Sequence, residues 1–117
     1  MLTVVNVHGG KPCDVYIGRA QPDRKGSVLG NPHPVKPRKC AICNMYHERG
    51  ETIPLYKQWL WTQMQDENGA VMQELKRIAR LVQAGKDVRL GCWCKPAACH
   101  GDVVKAAVEY LITSGQV

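Results

Sequence analysis

The 117 residues suffice for one compact domain with a single core and are too few for two ordinary ones, so residues 1–117 are read as one domain. Hydrophobic residues make up 44% of the chain, and no apolar run approaches the roughly 20 residues that cross a bilayer, which excludes a helical membrane span. The formal charge of +6 permits a polyanionic partner but does not choose among nucleic acid, nucleotide and a plain solvated surface.

Leu2 to Val7 is β-branched and apolar almost throughout, the pattern of a strand buried on both faces in a largely parallel sheet. The same segment has neither a basic lead nor a small-residue cleavage pattern, so no export signal is expected and the chain should stay in the cytosol. In that compartment six cysteines read as reduced thiols or metal ligands rather than a disulfide framework. Val15-Tyr16-Ile17 is a second short strand ended by Gly18. From Arg19 to Lys39 no period is sustained, and Gly26, Gly30, Asn31 and Pro32 mark this span as a candidate ligand loop.

Further along, Thr52 caps a predicted helix with Pro54 in its first turn and a stripe of Leu55, Trp59, Leu60 and Met64. Asn68-Gly69 breaks it. Val71, Leu75, Ile78 and Val82 carry a second helix to Gly85, Val88 to Cys92 reads as a strand, and Val103, Val104, Ala107, Val108 and Leu111 stripe a last helix ending near Gly115. The expected order β, β, loop, α, α, β, α is that of an α/β domain in two or three layers, with ligands gathering at the carboxyl ends of the strands.

Two constellations carry chemistry. Cys40-Ala41-Ile42-Cys43 with His47 four residues beyond has the spacing of half a zinc knuckle, since two thiolates that close can turn back on one tetrahedral ion. Its surroundings hold so few large apolar residues that burial alone would not order the loop, and metal would supply the missing order. The bland alternative is a pair of surface thiols; a redox CxxC is disfavoured because that motif should follow a strand and open a helix. The second constellation is Gly91-Cys92-Trp93-Cys94-Lys95-Pro96-Ala97-Ala98-Cys99-His100-Gly101-Asp102, running from a strand end into a helix start. A helix amino terminus stabilises a thiolate at Cys99 or a phosphate nearby, and His100 and Asp102 can handle protons there. Taken singly, Cys92 and Cys99 could be small apolar fillers and Asp102 a complement to the helix dipole. Among the tryptophans, Trp59 is expected in the core, and Trp93 should face opposite to its flanking cysteines.

With Val15-Tyr16-Ile17-Gly18-Arg19, Leu29-Gly30-Asn31-Pro32, Tyr56-x-x-Trp59-Leu60 and Leu90-Gly-Cys-Trp-Cys-Lys-Pro-x-x-Cys-His-Gly-Asp102, the chain resembles the phage-associated domain of unknown function 4326 family (DUF4326). The likeness spans nearly the whole chain, brings no settled activity and implies a phage-infected or prophage-carrying bacterial host. The strand, Cys-His, helix ending also looks like domain of unknown function 488, which implies by fold-level analogy a small Rossmann-like sheet with flanking helices. Against the simplest family pattern, residues 33–50 read as an inserted zinc-binding loop, with Cys40, Cys43 and His47 as ligands. The fourth is drawn from Cys13, His33, Cys94 or Cys99, with Cys94 carried forward.

The leading functional expectation is an enzyme acting on a nucleotide or nucleoside derivative at a glycosidic or phosphate-ester bond. Arg19 would pair with phosphate, Gly30, Asn31 and Gly101 would cradle it, and Cys99, His100 and Asp102 would be the catalytic groups. Rival readings are a protein that sequesters a nucleotide without turnover, and a nucleic-acid or protein-binding module that uses the zinc loop with Lys36, Arg38, Lys39 and Arg49. A thiol redox role for Cys92, Cys94 and Cys99 ranks last.

Overall fold

The computed structural model describes residues 1–8, 12–19, 25–32, 39–40, 42–47, 51–93 and 100–117, and of Cys40 the backbone alone. Cys94, Cys99, His33, Lys36, Arg38 and Arg49 lie outside the described residues. In chain order the elements are β1 (Leu2–Asn6), β2 (Val15–Tyr16), β3 (Lys39–Cys40), β4 (Met45–Tyr46), α1 (Thr52–Met64), α2 (Ala70–Gln83), β5 (Val88–Cys92) and α3 (His100–Thr113). The fold is a small mixed α/β one, with three helices and a small parallel sheet among the described residues. No described helix is long and apolar enough to cross a membrane.

In the sheet, β5 is central and both β1 and β2 pair with it in parallel, in the order β1-β5-β2. Alternate residues of β5, Val88, Leu90 and Cys92, are buried in the cluster that also takes in the inward faces of all three helices, whereas Arg89 is exposed. Expected burial on both faces of Leu2 to Val7 is corrected in part: Leu2 and Val7 are buried, but Thr3 to Asn6 are half-buried, in a strand at the edge of the described sheet. The opposite face of β5 is covered at one point by the chain itself. The chain between β1 and β2 meets this face of β5 at Val7 and again at Cys13. The Val7 N–H donates to Cys92 O at 2.9 Å and the Asp14 N–H to Arg89 O at 2.9 Å, which ties the link to β5 at both ends. A Cβ at Gly91 would lie 2.5 Å from Cys13 Sγ and 2.7 Å from Val7 Cγ1, so only glycine lets the link lie this close.

The helices form where the apolar spacing demanded them, with two adjustments. In α1 the buried stripe is Thr52, Tyr56, Leu60 and Met64, one residue round from the expected Leu55 face, and Trp59 packs beside it. Thr52 is therefore a buried residue of the first turn and not the cap; the residue before the helix is Glu51, with no side-chain capping bond. In α2 the stripe of Val71, Leu75 and Ile78 is joined by Met72 and Ala79. Both α2 and α3 end on a glycine in left-handed conformation, Gly85 at φ 84° and Gly115 at φ 73°. The Lys86 N–H then reaches Leu81 O at 3.2 Å and the Gln116 N–H reaches Leu111 O at 3.0 Å, satisfying terminal carbonyls.

The segment expected to be irregular around the CxxC is a short antiparallel hairpin, with Lys39 paired to Tyr46 and Cys40 to Met45. Its strands are two residues each, too short for alternation to register in the sequence. Asn44 turns the chain at φ 58°, a conformation asparagine tolerates.

Candidate functional site at the carboxyl ends of the strands

The carboxyl end of β2 gathers three segments. The Ile17 N–H donates to Gly91 O at 3.0 Å, extending the pairing with β5, and Ile17 O accepts from His100 Nε2 at 2.8 Å. A carbonyl can only accept, so Nε2 carries the hydrogen. His100 is buried, and its ring stands edge-on to Tyr56 with centroids 5.1 Å apart at 75°. Tyr56 is fully buried, and its hydroxyl donates to Leu29 O at 2.6 Å. One aromatic side chain thus joins α1, the start of α3 and the loop that holds Gly30 and Asn31.

That loop is fastened to β2 by backbone bonds. Gly18 O accepts from the Ser27 N–H at 2.9 Å, and a turn forms as the Gly30 N–H donates to Ser27 O at 3.1 Å while Ser27 Oγ accepts from the Leu29 N–H at 3.0 Å. A Cβ at Gly30 would come within 3.2 Å of Gly18 O and of Ser27 O. Arg19 Nε donates to Asn31 O at 2.7 Å, which fixes the direction of the guanidinium. The structure brings Arg19, Gly30 and Asn31 together and sets His100 and Gly101, both buried, against the same strand end. Asp102 is exposed in the first turn of α3, where a carboxylate complements the helix dipole. Cys99 lies outside the described residues.

Reading the sequence alone misses Tyr16, Tyr56 and Trp93 as members of this assembly. Trp93 Nε1 donates to the Tyr16 hydroxyl at 2.6 Å, and that hydroxyl donates to Arg19 O at 2.6 Å. The Tyr16 ring lies over Gly18, where a Cβ would collide with it. Tyr56 had a signal, a tyrosine next to an apolar helical stripe, but its carbonyl partner is 27 residues away.

The residues expected to bind metal lie in and beside the hairpin. The turn carries Cys43, half-buried, and His47 follows β4 at 4% exposure with Nδ1 3.7 Å from Glu51 Oε2. Ile42, Met45 and Tyr46, the large apolar side chains here, are 61%, 59% and 54% exposed, so the hairpin builds no core of its own. Among the described residues no group of three or more His, Cys, Asp or Glu is arranged to hold a metal ion. Cys94 and the Cys40 side chain fall outside that description.

Among the described residues, two grooves flank the assembly. One of about 210 Å³ between α1 and α3 is apolar, with Trp61 and Tyr110 at its rim. The other, about 600 Å³, runs along the outer edge of β2 past Lys25 and α2. Its charges are largely spent: Arg77 grips Glu74 at 2.5 and 3.0 Å, and Asp14 brings a carboxylate that the Arg89 guanidinium holds below the usual carboxylate range.

The profile of a family described as domain of unknown function (DUF4326) covers residues 5–110 of the chain. No curated protein and no solved structure matches it.

Proposed function

From the premise that the chain belongs to the DUF4326 family, whose description assigns no activity, we propose that it binds a nucleotide or nucleoside derivative at the carboxyl ends of β2 and β5. One observation carries this reading: Arg19, oriented by Asn31 O, is fastened to the same strand end as the amino terminus of α3. A guanidinium and a helix start are the two commonest recognisers of a phosphate. The three parallel strands serve as a Rossmann-like platform. The cytosol is the setting that suits a chain with six cysteines.

Zinc belongs to the same reading as the element that orders the hairpin. A two-stranded hairpin of this length is marginal in water, and its exposed Ile42, Met45 and Tyr46 leave burial little part in holding it. Cys40, Cys43 and His47 are soft and borderline donors of the kind a structural zinc takes, with Cys94 as fourth ligand.

Turnover at a glycosidic or phosphate-ester bond would rest on Cys99 and Asp102, since proton transfer through His100 Nε2 must first break its bond to Ile17 O. That engagement favours a second reading, in which the ligand is held and returned intact. Incubation with nucleoside mono-, di- and triphosphates, followed by denaturation and chromatography, separates the two: product marks an enzyme, and intact ligand marks a sequestering protein. Arg19→Gln should weaken binding by on the order of tenfold, the worth of a charge-assisted hydrogen bond. Equal binding by wild type and variant would refute the assignment of Arg19.

A further inference from the structure

Trp93 is placed unlike the other two tryptophans. Trp59 packs against the core and Trp61 lies in the groove between α1 and α3, whereas Trp93 belongs to neither and is 36% exposed. Polar bonds hold it in the open. Its indole N–H donates to the Tyr16 hydroxyl at 2.6 Å, and its backbone carbonyl accepts from Asn6 Nδ2 at 3.5 Å. Asn6 Oδ1 in turn accepts from the His8 backbone N–H at 2.6 Å, and the His8 ring meets the indole edge-on, with centroids 6.0 Å apart at 71°.

Among the described residues the indole is no part of the core cluster, so packing within that cluster does not explain where it stands. A large ring oriented through its own N–H and 36% exposed offers a preorganised stacking surface, because little freedom remains to be lost when a flat partner arrives. The Tyr16 hydroxyl that orients the indole also donates to Arg19 O at 2.6 Å, so a single phenol oxygen links the ring to the backbone of the phosphate-seeking cation.

We infer that Trp93, flanked by His8 and Tyr16, is the shelf on which the heteroaromatic base of the ligand stacks; this rests on the nucleotide reading above. Stacking tolerates every base, so the shelf selects nucleotides over sugar phosphates and not one base over another.

The test is isothermal titration of adenosine monophosphate, adenosine and ribose phosphate into wild type, Trp93→Leu and Trp93→Phe, with circular dichroism to establish that each variant folds. The Leu variant should bind adenosine monophosphate on the order of tenfold more weakly, the Phe variant within about threefold of wild type, and ribose phosphate should be indifferent to both changes. Adenosine monophosphate binding that survives the Leu change, or that equals ribose phosphate binding in wild type, overturns the shelf and leaves the phosphate site standing. Adenosine that binds through Trp93 with no gain from its phosphate keeps the shelf and sinks the role of Arg19. No binding of any of the three overturns both. Should the Leu variant fail to fold, the Phe variant and the wild-type comparison of nucleotide with sugar phosphate decide the matter.

Discussion

Gly91→Ala adds one methyl group on the face of β5 against which Val7 and Cys13 pack. Its carbon would fall 2.5 Å from Cys13 Sγ, 2.7 Å from Val7 Cγ1 and 2.9 Å from Cys13 Cβ, about 1 Å inside the roughly 3.5–4.0 Å of an ordinary contact. The sulfur can swing away, but Cys13 Cβ cannot, and Val7 is fully buried and β-branched. Overpacking of this kind costs about 1–3 kcal/mol, and loss of the Val7 N–H bond to Cys92 O adds about 1 kcal/mol if the link lifts. Alanine also narrows the unfolded ensemble, which returns about 0.4–1 kcal/mol. The net expectation is a loss of about 2 kcal/mol with an unchanged slope in urea unfolding. Cys13→Ala in the same chain should recover part of it, with a coupling above about 0.5 kcal/mol in the double-mutant cycle. A loss under about 0.5 kcal/mol, or strict additivity of the two changes, would refute the close packing of Val7 and Cys13 on Gly91.

Tyr56→Phe removes the donor to Leu29 O from a fully buried site, and the stranded carbonyl should cost about 1–3 kcal/mol in chemical denaturation. Asp14, held below the usual carboxylate range by its hydrogen bonds to Arg89, contributes stability that is present above the unfolded value near pH 4 and lost as pH falls through the lower folded value. Asp14→Asn should therefore flatten the melting temperature below about pH 4 and leave the slope near neutrality unchanged. Mass spectrometry of the purified chain should find stoichiometric zinc that is lost from the Cys40→Ser, Cys43→Ser double variant; zinc at full occupancy in that variant contradicts the hairpin assignment.

Elements long enough to show a period were legible in the sequence. Val88 to Cys92 reads as a strand because it is the central one, and α2 reads cleanly because Gly69 and Gly85 bracket an apolar stripe. What escaped was set by distant partners or by brevity. Leu55 is the more apolar residue, yet Tyr56 takes the core face of α1 because its hydroxyl finds Leu29 O there. Strands of two residues leave no pattern, so the hairpin passes for a loop, although its CxxC marks the place where the chain turns. At the candidate site the residue types were readable, and the proximity of Arg19 to Asn31 goes with Ser27 folding back on Gly18. Engagement of His100 on Ile17 O was not readable, because nothing local in the sequence joins residues 83 positions apart.

The most direct test of a nucleotide site at the strand ends is to titrate adenosine monophosphate into isotopically labelled protein and follow the backbone amides by NMR. Shifts should concentrate at Gly18, Arg19, Gly30, Asn31 and Gly101. Shifts confined to the groove by Lys25 and Arg77, to the 39–47 hairpin, or absent throughout would contradict the account.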